Sequence, residues 1–135
     1  MNMKYESLYR EFCALFPSHQ AELDALARAA LAEEEDGMHI MFGDVVVPFV
    51  LNLLRNDSEK ELCLAFDFFE KMDTSGDAEI AEVLEFTVIE SLMSHGKAIF
   101  EKAYNHMGPE TKESCKAIAR YLKVGGDDEK GVTHD

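Results

Sequence analysis

Carboxylates are the side chains of this sequence with the type and spacing to do chemistry, and they are concentrated in one segment. Between Asp57 and Glu90 the chain has eleven aspartates and glutamates and only two lysines. Paired carboxylates can serve acid–base catalysis when one of them has a raised pKa. An uncompensated acidic surface attracts a basic partner instead. The segment therefore suggests either proton transfer or the binding of a cationic molecule.

Two glutamates occupy the same place in a repeated pattern. The pattern Phe-x-Phe-Phe-Glu-x-Met around Glu70 returns 20 residues later as Phe-x-Val-Ile-Glu-x-Leu around Glu90. Catalytic residues rarely occur in duplicate. A structural role, in which a half-buried carboxylate accepts hydrogen bonds from a helix terminus or a basic side chain, is therefore the favoured interpretation. An enzyme with a carboxylate site around Glu70 and Glu90 is the least favoured of three hypotheses.

The sequence lacks the common catalytic and metal-binding motifs. It contains no GxSxG, P-loop, GxGxxG or HExxH pattern, and its five histidines do not pair at helical spacing. The run from Asp73 to Ile80 has the alternating oxygens of an EF-hand calcium loop. However, Ala78 stands where the glycine of the sharp turn is required, and Leu84 where the bidentate glutamate is required. We expect no catalytic residue, no metal site and no cofactor.

The charge balance argues against several classes of partner. The 135 residues include 13 Lys plus Arg and 27 Asp plus Glu, a formal net charge of −14, and 47% of them are hydrophobic. This composition is typical of a folded globular domain. The negative charge repels phosphate backbones and anionic lipid headgroups. We therefore expect a basic protein partner, and neither nucleic acid nor a membrane.

The cysteines and the first residues indicate a cytoplasmic protein with reduced thiols. Cys13, Cys63 and Cys115 are odd in number and form no CxxC pair, and the last two fall at helical apolar positions that predict burial. The start of the chain lacks the apolar core of a secretory leader. The most apolar stretch, from Met38 to Leu54, is interrupted by glycine, aspartate and proline and is shorter than the ~20 residues of a membrane span. We interpret it as core.

Apolar periodicity predicts helices along almost the whole chain. The expected helices are Met3 to Phe16, a second to about Glu34, Val45 to Arg55 with Asp44 as cap and Pro48 in the first turn, a fourth from Asp57 or Ser58 to about Asp73, a fifth from Asp77 to about Ser94, Lys97 to His106, and Pro109 to about Val124. Short connections between helices imply antiparallel neighbours. Residues 1–125 are predicted to form one domain, and residues 126–135 a flexible polar tail.

The fourth and fifth predicted helices are apolar on two sides. The fifth helix has one face with Ile80, Val83, Leu84, Val88 and Leu92, and another with Phe86, Ile89 and Met93. A helix with two apolar sides is packed between other elements. The predicted fold is therefore all-α, with about seven helices in a HEAT-like antiparallel stack, either a short α-solenoid or a bundle.

The run from Leu62 to Leu92, with its segments FFE, SGD and IAEVLEFTVIESL, resembles a family of small bacterial all-helical domains of largely uncharacterised function. The segments MFGDVVVPFVLNLL and FEKAYNHMGPET extend the resemblance over roughly Phe42 to Tyr121. Domains of this kind are associated with polymorphic toxin systems, including contact-dependent growth inhibition, as immunity proteins. The resemblance implies a cytosolic antidote that binds and occludes a cognate toxin domain, and it implies no catalytic residues.

Three functions remain open on the sequence. The first is an immunity protein that docks a basic toxin domain, such as a nuclease, through acids of the fourth and fifth helices: Asp67, Glu70, Asp73, Asp77, Glu79, Glu82 and Glu85. This hypothesis predicts association that weakens as salt rises. The second is a helical scaffold or adaptor that binds a peptide or protein in a groove through apolar contacts. The third is the carboxylate enzyme.

Overall fold

The computed structural model describes residues 3–130, and their side chains as far as residue 121. Within this part of the chain the regular structure is entirely helical, so the predicted all-α class is confirmed. Seven helices follow one another: α1 (Leu8–Ala14), α2 (Gln20–Ala30), α3 (Met38–Arg55), α4 (Glu59–Asp73), α5 (residues 78–93), α6 (Lys97–His106) and α7 (Pro109–Lys130). Short 3₁₀ turns precede α1, α2 and α3: Tyr5–Ser7, Pro17–His19 and Glu34–Asp36.

The central helix is α3, which packs against α1, α2, α4, α5 and α6. Its mean hydropathy is 1.4, and among the described helices it alone is long and apolar enough to span a membrane. Inside the protein 61% of the helix is buried, which agrees with the predicted role as core. In a linear solenoid each repeat contacts only its neighbours along the chain. Of the two predicted architectures, the packing around α3 therefore corresponds to the bundle.

α3 begins earlier than the sequence predicts. It starts at Met38 and contains a π-helical segment, Phe42–Val46, so the placement of Asp44 as cap and of Pro48 in the first turn is wrong. A proline ring inside a helix clashes with the carbonyl four residues earlier, here that of Asp44. The wider π turn lies just before Pro48, where it gives the ring room within a continuous helix.

A second π-helical segment, Val83–Ile89, lies in α5 between the α-helical turns Ala78–Glu82 and Glu90–Met93. The two π segments pack against each other. A hydrogen bond of 2.5 Å joins His39 Nδ1 of α3 to the Thr87 hydroxyl of α5. A Cβ added at Gly43 would stand 3.2 Å from Thr87 Cγ2. The absence of a side chain at Gly43 therefore permits this close crossing of the two helices.

Phenylalanine rings connect α1 to the helices around it. The ring of Phe12 stacks on Phe69 of α4, with centroids 5.9 Å apart, and meets Phe49 of α3 edge to face at 6.3 Å. All three rings are fully buried. Each buried ring contributes roughly 1.5–3 kcal/mol by leaving water, and aromatic pairs of this geometry add about 1 kcal/mol. This cluster fixes α1 on α3 and α4.

The predicted inner faces of α4 and α5 are confirmed. The buried residues include Leu62, Ala65, Phe66, Phe69 and Met72 of α4, and Ile80, Val83, Leu84, Val88 and Leu92 of α5. Phe86 differs from the prediction, because its side chain is 56% exposed. It lies in the π segment, whose turns hold more residues than the 3.6 of an α-helix. A helical wheel drawn at α-helical spacing therefore assigns Phe86 to the wrong face.

The three cysteines occupy different environments. Cys13 and Cys115 are buried, and burial raises the pKa of both thiols, that of Cys115 to about 11. Cys63 is exposed, so its predicted burial is wrong. It follows Leu62 on α4, and the inward positions of this helix are taken by Leu62 and Phe66. Cys63 consequently lies on the outer side of the helix.

The last helix begins at Pro109, as predicted, and continues past the predicted end near Val124. Two glycines, Gly125 and Gly126, lie within it. A glycine inside a helix costs about 1 kcal/mol relative to alanine, so glycine weakens a helix without forbidding it. Residues 126–130 of the predicted tail are thus helical, and residues 131–135 lie outside the described part of the chain. The division into one domain and a flexible tail stays a prediction.

Candidate functional site

The seven acids predicted to bind a partner divide into two groups. One group makes hydrogen bonds within the protein and consists of Glu70, Asp73, Asp77 and Glu85. The other group is exposed and consists of Asp67, Glu79 and Glu82. Most of the first group lies where the end of α4 meets α5 and α7. The candidate site lies at this junction of α4, α5 and α7.

Glu70 holds the N-terminus of α7. Its carboxylate accepts hydrogen bonds from the backbone N–H groups of Glu110 (2.9 Å) and Thr111 (3.0 Å) and from the Thr111 hydroxyl (2.8 Å). These bonds satisfy N–H groups that a helix start leaves without a partner, as well as the buried Thr111 hydroxyl. Burial acts to raise the pKa of Glu70, but the three hydrogen bonds outweigh it and lower the pKa. The structural role predicted for Glu70 is confirmed.

Gly108 leaves the space that the Glu70 carboxylate occupies. A Cβ added at Gly108 would stand 2.5 Å from both Cδ and Oε1 of Glu70. Any larger residue at this position must therefore displace the carboxylate from the start of α7. Glycine before Pro109 is thus part of how α4 holds α7.

Asp77 is the N-cap of α5. Its Oδ1 accepts hydrogen bonds from the backbone N–H groups of Glu79 (2.9 Å) and Ile80 (3.3 Å), as the predicted cap requires. The preceding Gly76 has a φ of 80°, which glycine adopts without strain. The oxygens that resemble a calcium loop therefore serve a turn and a cap. The described residues contain no group of three or more His, Cys, Asp or Glu side chains that could hold a metal ion.

Asp73 of α4 and Glu85 of α5 come together beside α7. The Ser114 hydroxyl lies 2.6 Å from Asp73 Oδ2 and 3.3 Å from Glu85 Oε2. Burial raises the pKa of Glu85, and a hydrogen bond to Asp73 and its negative charge raise it further. Ser114 partly opposes these effects, and the resulting pKa is about 7. Because two adjacent carboxylates do not readily ionise together, the pair retains a proton up to neutral pH.

Glu85 also lines a cleft of about 640 Å³ between α5 and α7. The described lining residues are Glu85, Phe86, Glu90, Ser114, Ala117, Ile118 and Tyr121. Phe86 and Tyr121 are 56% and 76% exposed, which is unusual for large side chains. The described lining contains two carboxylates and neither lysine nor arginine. The cleft therefore combines negative charge with exposed aromatic surface.

A larger cleft, of about 1090 Å³, lies between α1 and the end of α4. Its lining combines acids with a lysine: Glu11 and Asp77 with Lys71. The charge of Lys71 partly balances these acids, and Asp77 is already engaged in capping α5. The cleft between α5 and α7 is therefore the better candidate for recognition of a charged group.

The exposed acids differ in how they are neutralised. Asp67 lies 3.3 Å from the ammonium of Lys71, one turn further along α4. Among the described residues, no lysine or arginine lies within ion-pairing distance of Glu79 or Glu82. Both glutamates are exposed on α5, the helix that also forms one wall of the cleft. The negative charge of α5 is thus open to an external cation.

Sequence reasoning did not identify the residues that complete the cleft. Ser114 is 41 residues from Asp73 and 29 from Glu85 in the sequence, and no local pattern connects them. Phe86 was assigned to a second apolar face of the fifth helix, packed against another element, and Tyr121 carried no motif. Their only sequence signal is that both are aromatic residues on predicted helices. Their convergence depends on how α7 packs against α5.

Comparison with known proteins identifies a family without an assigned activity. The family model described as Domain of unknown function (DUF7674) matches residues 9–123, which cover all seven helices at least in part. No curated protein and no solved structure matches the chain.

Proposed function

Because the chain belongs to the Domain of unknown function (DUF7674) family, whose description specifies no activity, we propose a function from the site and from the resemblance of the sequence. The chain is a non-enzymatic binding protein that docks a basic protein partner on α5 and the adjoining cleft. The observation that carries this proposal is the exposed, unneutralised pair Glu79 and Glu82 on the helix that presents Glu85 and Glu90 to the cleft. Such a surface speeds association with a basic protein and selects against acidic ones.

The resemblance to immunity proteins supports a toxin domain as the class of partner. A chain with a net charge of −14 presents the sign of charge that a basic nuclease recognises in its substrate. Binding on α5 would cover the active site or the nucleic-acid groove of such a toxin. In this proposal the protein is a cytoplasmic antidote that acts by occlusion and needs no cofactor.

The packing modifies the predicted set of contact residues. Asp67, Glu79 and Glu82 are exposed, and of these Asp67 is already paired with Lys71. Glu70 and Asp77 use their oxygens to cap α7 and α5, so their contribution is to hold the surface in shape. The lowered pKa and three hydrogen bonds of Glu70 also argue against its use as a general base.

A scaffold or adaptor is the second candidate, and the cleft favours it. Phe86 and Tyr121 offer aromatic surface to an apolar peptide segment, as adaptor grooves do. The two candidates differ in salt dependence. Apolar contacts change little between low and high salt, whereas docking through Glu79 and Glu82 weakens as salt screens the charges.

Capture of the partner from the native host, at low and at high salt, tests the proposal. We expect one stoichiometric basic protein, identified by mass spectrometry, that is released as salt rises. The double variant Glu79→Lys, Glu82→Lys loses this partner. The double variant Glu35→Lys, Glu101→Lys makes the same change in charge at exposed acids outside α4 and α5, and it keeps the partner.

Two results would contradict the docking of a basic protein on α5. A partner indifferent to salt supports the adaptor instead. Equal loss of the partner in both double variants shows that total charge, and not the surface of α5, attracts it.

A further inference from the structure

We propose that the cleft between α5 and α7 binds an arginine side chain carried by an apolar segment of the partner. The guanidinium lies against Glu85 and Glu90, and the flanking apolar residues lie against Phe86 and Tyr121. This inference rests on the proposed function and specifies which chemistry of a basic partner the site recognises.

The charge of the cleft favours a cationic side chain. Asp73 and Glu85 are brought together with a serine hydroxyl between them, and Glu90 lines the same cleft as Glu85. Carboxylates placed so closely are usually accompanied by a cation, and the described lining of the cleft contains neither lysine nor arginine. In the free protein a retained proton limits the repulsion between Asp73 and Glu85, and a cation supplied by a partner would take over that role.

The aromatic surface of the cleft favours arginine over lysine. An arginine guanidinium is planar, weakly hydrated and suited to stacking on aromatic rings while it bonds a carboxylate. A lysine ammonium is a compact, strongly hydrated charge and gains less from the rings. Phe86 and Tyr121 are exposed beside Glu85 and Glu90, which is the combination that suits arginine.

The size of the cleft suits a side chain together with its neighbours in a peptide segment. A volume of about 640 Å³ falls within the range of sites that enclose small molecules, and it exceeds what one side chain fills. The space can therefore take an arginine together with parts of its neighbours. Because Ala117 and Ile118 of α7 are apolar lining residues, those neighbours are expected to be apolar.

Proton release is a consequence of this binding mode. A bound guanidinium favours the ionised form of Glu85, whose pKa in the free protein is about 7. The groups around Glu85 are Asp73 of α4, Glu82 and Glu90 of α5, and the neutral Ser114 of α7. All of the charged groups in this set are acidic, so each favours the cation. Binding should therefore tighten as pH rises from 6 to 8.

The test uses the peptide acetyl-Leu-Arg-Leu-amide, with acetyl-Leu-Gln-Leu-amide as its uncharged match, titrated into the full chain and followed by NMR. We expect the arginine peptide to shift the amide signals of Phe86, Ser114 and Ile118. Its affinity should rise by up to about tenfold from pH 6 to pH 8, because a carboxyl with a pKa near 7 goes from about one-tenth to about nine-tenths ionised. The glutamine peptide should cause no such shifts.

Three variants make the test specific. Glu85→Gln weakens binding of the arginine peptide at least several-fold and removes most of its dependence on pH. Phe86→Ala, a change at an exposed position, weakens binding but leaves that dependence. Glu101→Gln removes one charge from α6, outside the cleft and outside the proposed docking surface, and leaves binding nearly unchanged.

Several outcomes overturn the inference. These are equal shifts with the glutamine peptide, no shifts with the arginine peptide, or equal losses in Glu85→Gln and Glu101→Gln. A basic, salt-sensitive partner could bind the Glu85→Gln and Phe86→Ala variants as well as it binds the unaltered chain. That result overturns the binding of arginine in the cleft, while the proposed function stands. If the arginine peptide binds in the cleft but the host contains no basic partner, the cleft is still an arginine-binding site, while the proposed function fails.

Discussion

Glu85 is the residue at which stability and binding oppose each other most directly. Its pKa in the folded chain is about 7, against an ordinary value of 4.5, because of burial and the neighbouring Asp73. Between these two values the folded chain binds a proton that the unfolded chain has already released. The free energy of unfolding therefore declines as pH rises through this window. The fold alone therefore gains nothing from ionised Glu85, whereas the proposed cationic partner would.

The substitution Glu85→Gln should accordingly stabilise the protein above pH 7. The amide is neutral and can still donate a hydrogen bond to Asp73, so the repulsion disappears. The expected gain in the free energy of unfolding at pH 8 is on the order of 1 kcal/mol, since Glu85 is largely open to screening by solvent. Urea denaturation at pH 4.5 and at pH 8 measures it, and the gain should vanish at the lower pH, where Glu85 is mostly protonated in the folded chain.

Glu82→Gln serves as the control for this prediction, because Glu82 is exposed on the same helix. Its effect at pH 8 should be much smaller than that of Glu85→Gln. A loss of stability in Glu85→Gln at pH 8 would show that the ionised carboxylate makes a stabilising contact, contrary to the raised pKa.

Leu31 is a second residue whose position is unfavourable for the fold alone. It follows the last turn of α2 with a φ of 56°, and its side chain is 86% exposed. A left-handed backbone costs a residue with a Cβ roughly 1–2 kcal/mol, and helices commonly end with glycine there. The substitution Leu31→Gly should raise the free energy of unfolding by about 0.5–1 kcal/mol, after allowance for the added freedom of the unfolded chain.

Leu31→Ala separates the backbone from the side chain. It keeps the strained backbone and removes only exposed atoms, so we expect a change within about 0.5 kcal/mol of zero in denaturant titrations. If alanine stabilises as much as glycine does, the cause is the exposed leucine side chain and not the backbone angle.

Regular α-helical periodicity allowed much of the element structure to be predicted. The buried faces of α4 and α5, the Asp77 cap and the start of α7 at Pro109 all follow from local spacing and cap chemistry. The start of α3 and the exposure of Phe86 were predicted wrongly. Both errors involve π-helical segments, which form where helices press against each other and which a local pattern does not reveal.

The candidate site was predicted less completely than the fold, for a related reason. Local charge identified the acids of α4 and α5, and the repeated pattern favoured a Glu70 that bonds either a helix terminus or a basic side chain. The identity of that terminus, α7, depends on contacts between residues about 40 positions apart. The meeting of Ser114 with Asp73 and Glu85 has the same origin. A single sequence contains no direct record of such distances.

The attachment of α7 to α4 can be tested with a double-mutant cycle on Glu70 and Gly108. Glu70→Ala leaves the helix start and the buried Thr111 hydroxyl without their acceptor, and should cost about 1–3 kcal/mol of unfolding free energy. Gly108→Ala should cost about 1–2 kcal/mol, because its Cβ displaces the same carboxylate.

In the Glu70→Ala background the alanine at position 108 meets no carboxylate, so its cost should fall close to zero. The coupling free energy from the cycle, measured by denaturant unfolding, is expected to exceed about 1 kcal/mol. Additive effects of the two substitutions would show that Gly108 is required for a reason other than the space occupied by Glu70.

For the whole molecule, the net charge of −14 predicts how stability depends on salt. Repulsion among the acids destabilises the compact chain, and salt screens it. The melting temperature should therefore rise as sodium chloride increases from about 20 to about 200 mM. The double variant Glu79→Lys, Glu82→Lys should show a smaller rise, because it reduces the repulsion directly. An unchanged or falling melting temperature over this range contradicts the prediction.

Because hydrogen bonds to Glu70 and Asp73 hold α7 in place, they also determine how often α7 separates from the rest of the protein. α4 holds α7 through Glu70, which accepts hydrogen bonds from Thr111, and Asp73, which accepts one from Ser114. Among the described side chains of α7, those up to residue 121, only Cys115 and Ile118 belong to the apolar core. Such an element can open locally at a lower free energy than global unfolding requires. Because one wall of the cleft is α7, each opening also dismantles the cleft. Amide hydrogens of α7 should therefore exchange with solvent sooner than those of α3, and a ligand in the cleft should slow that exchange.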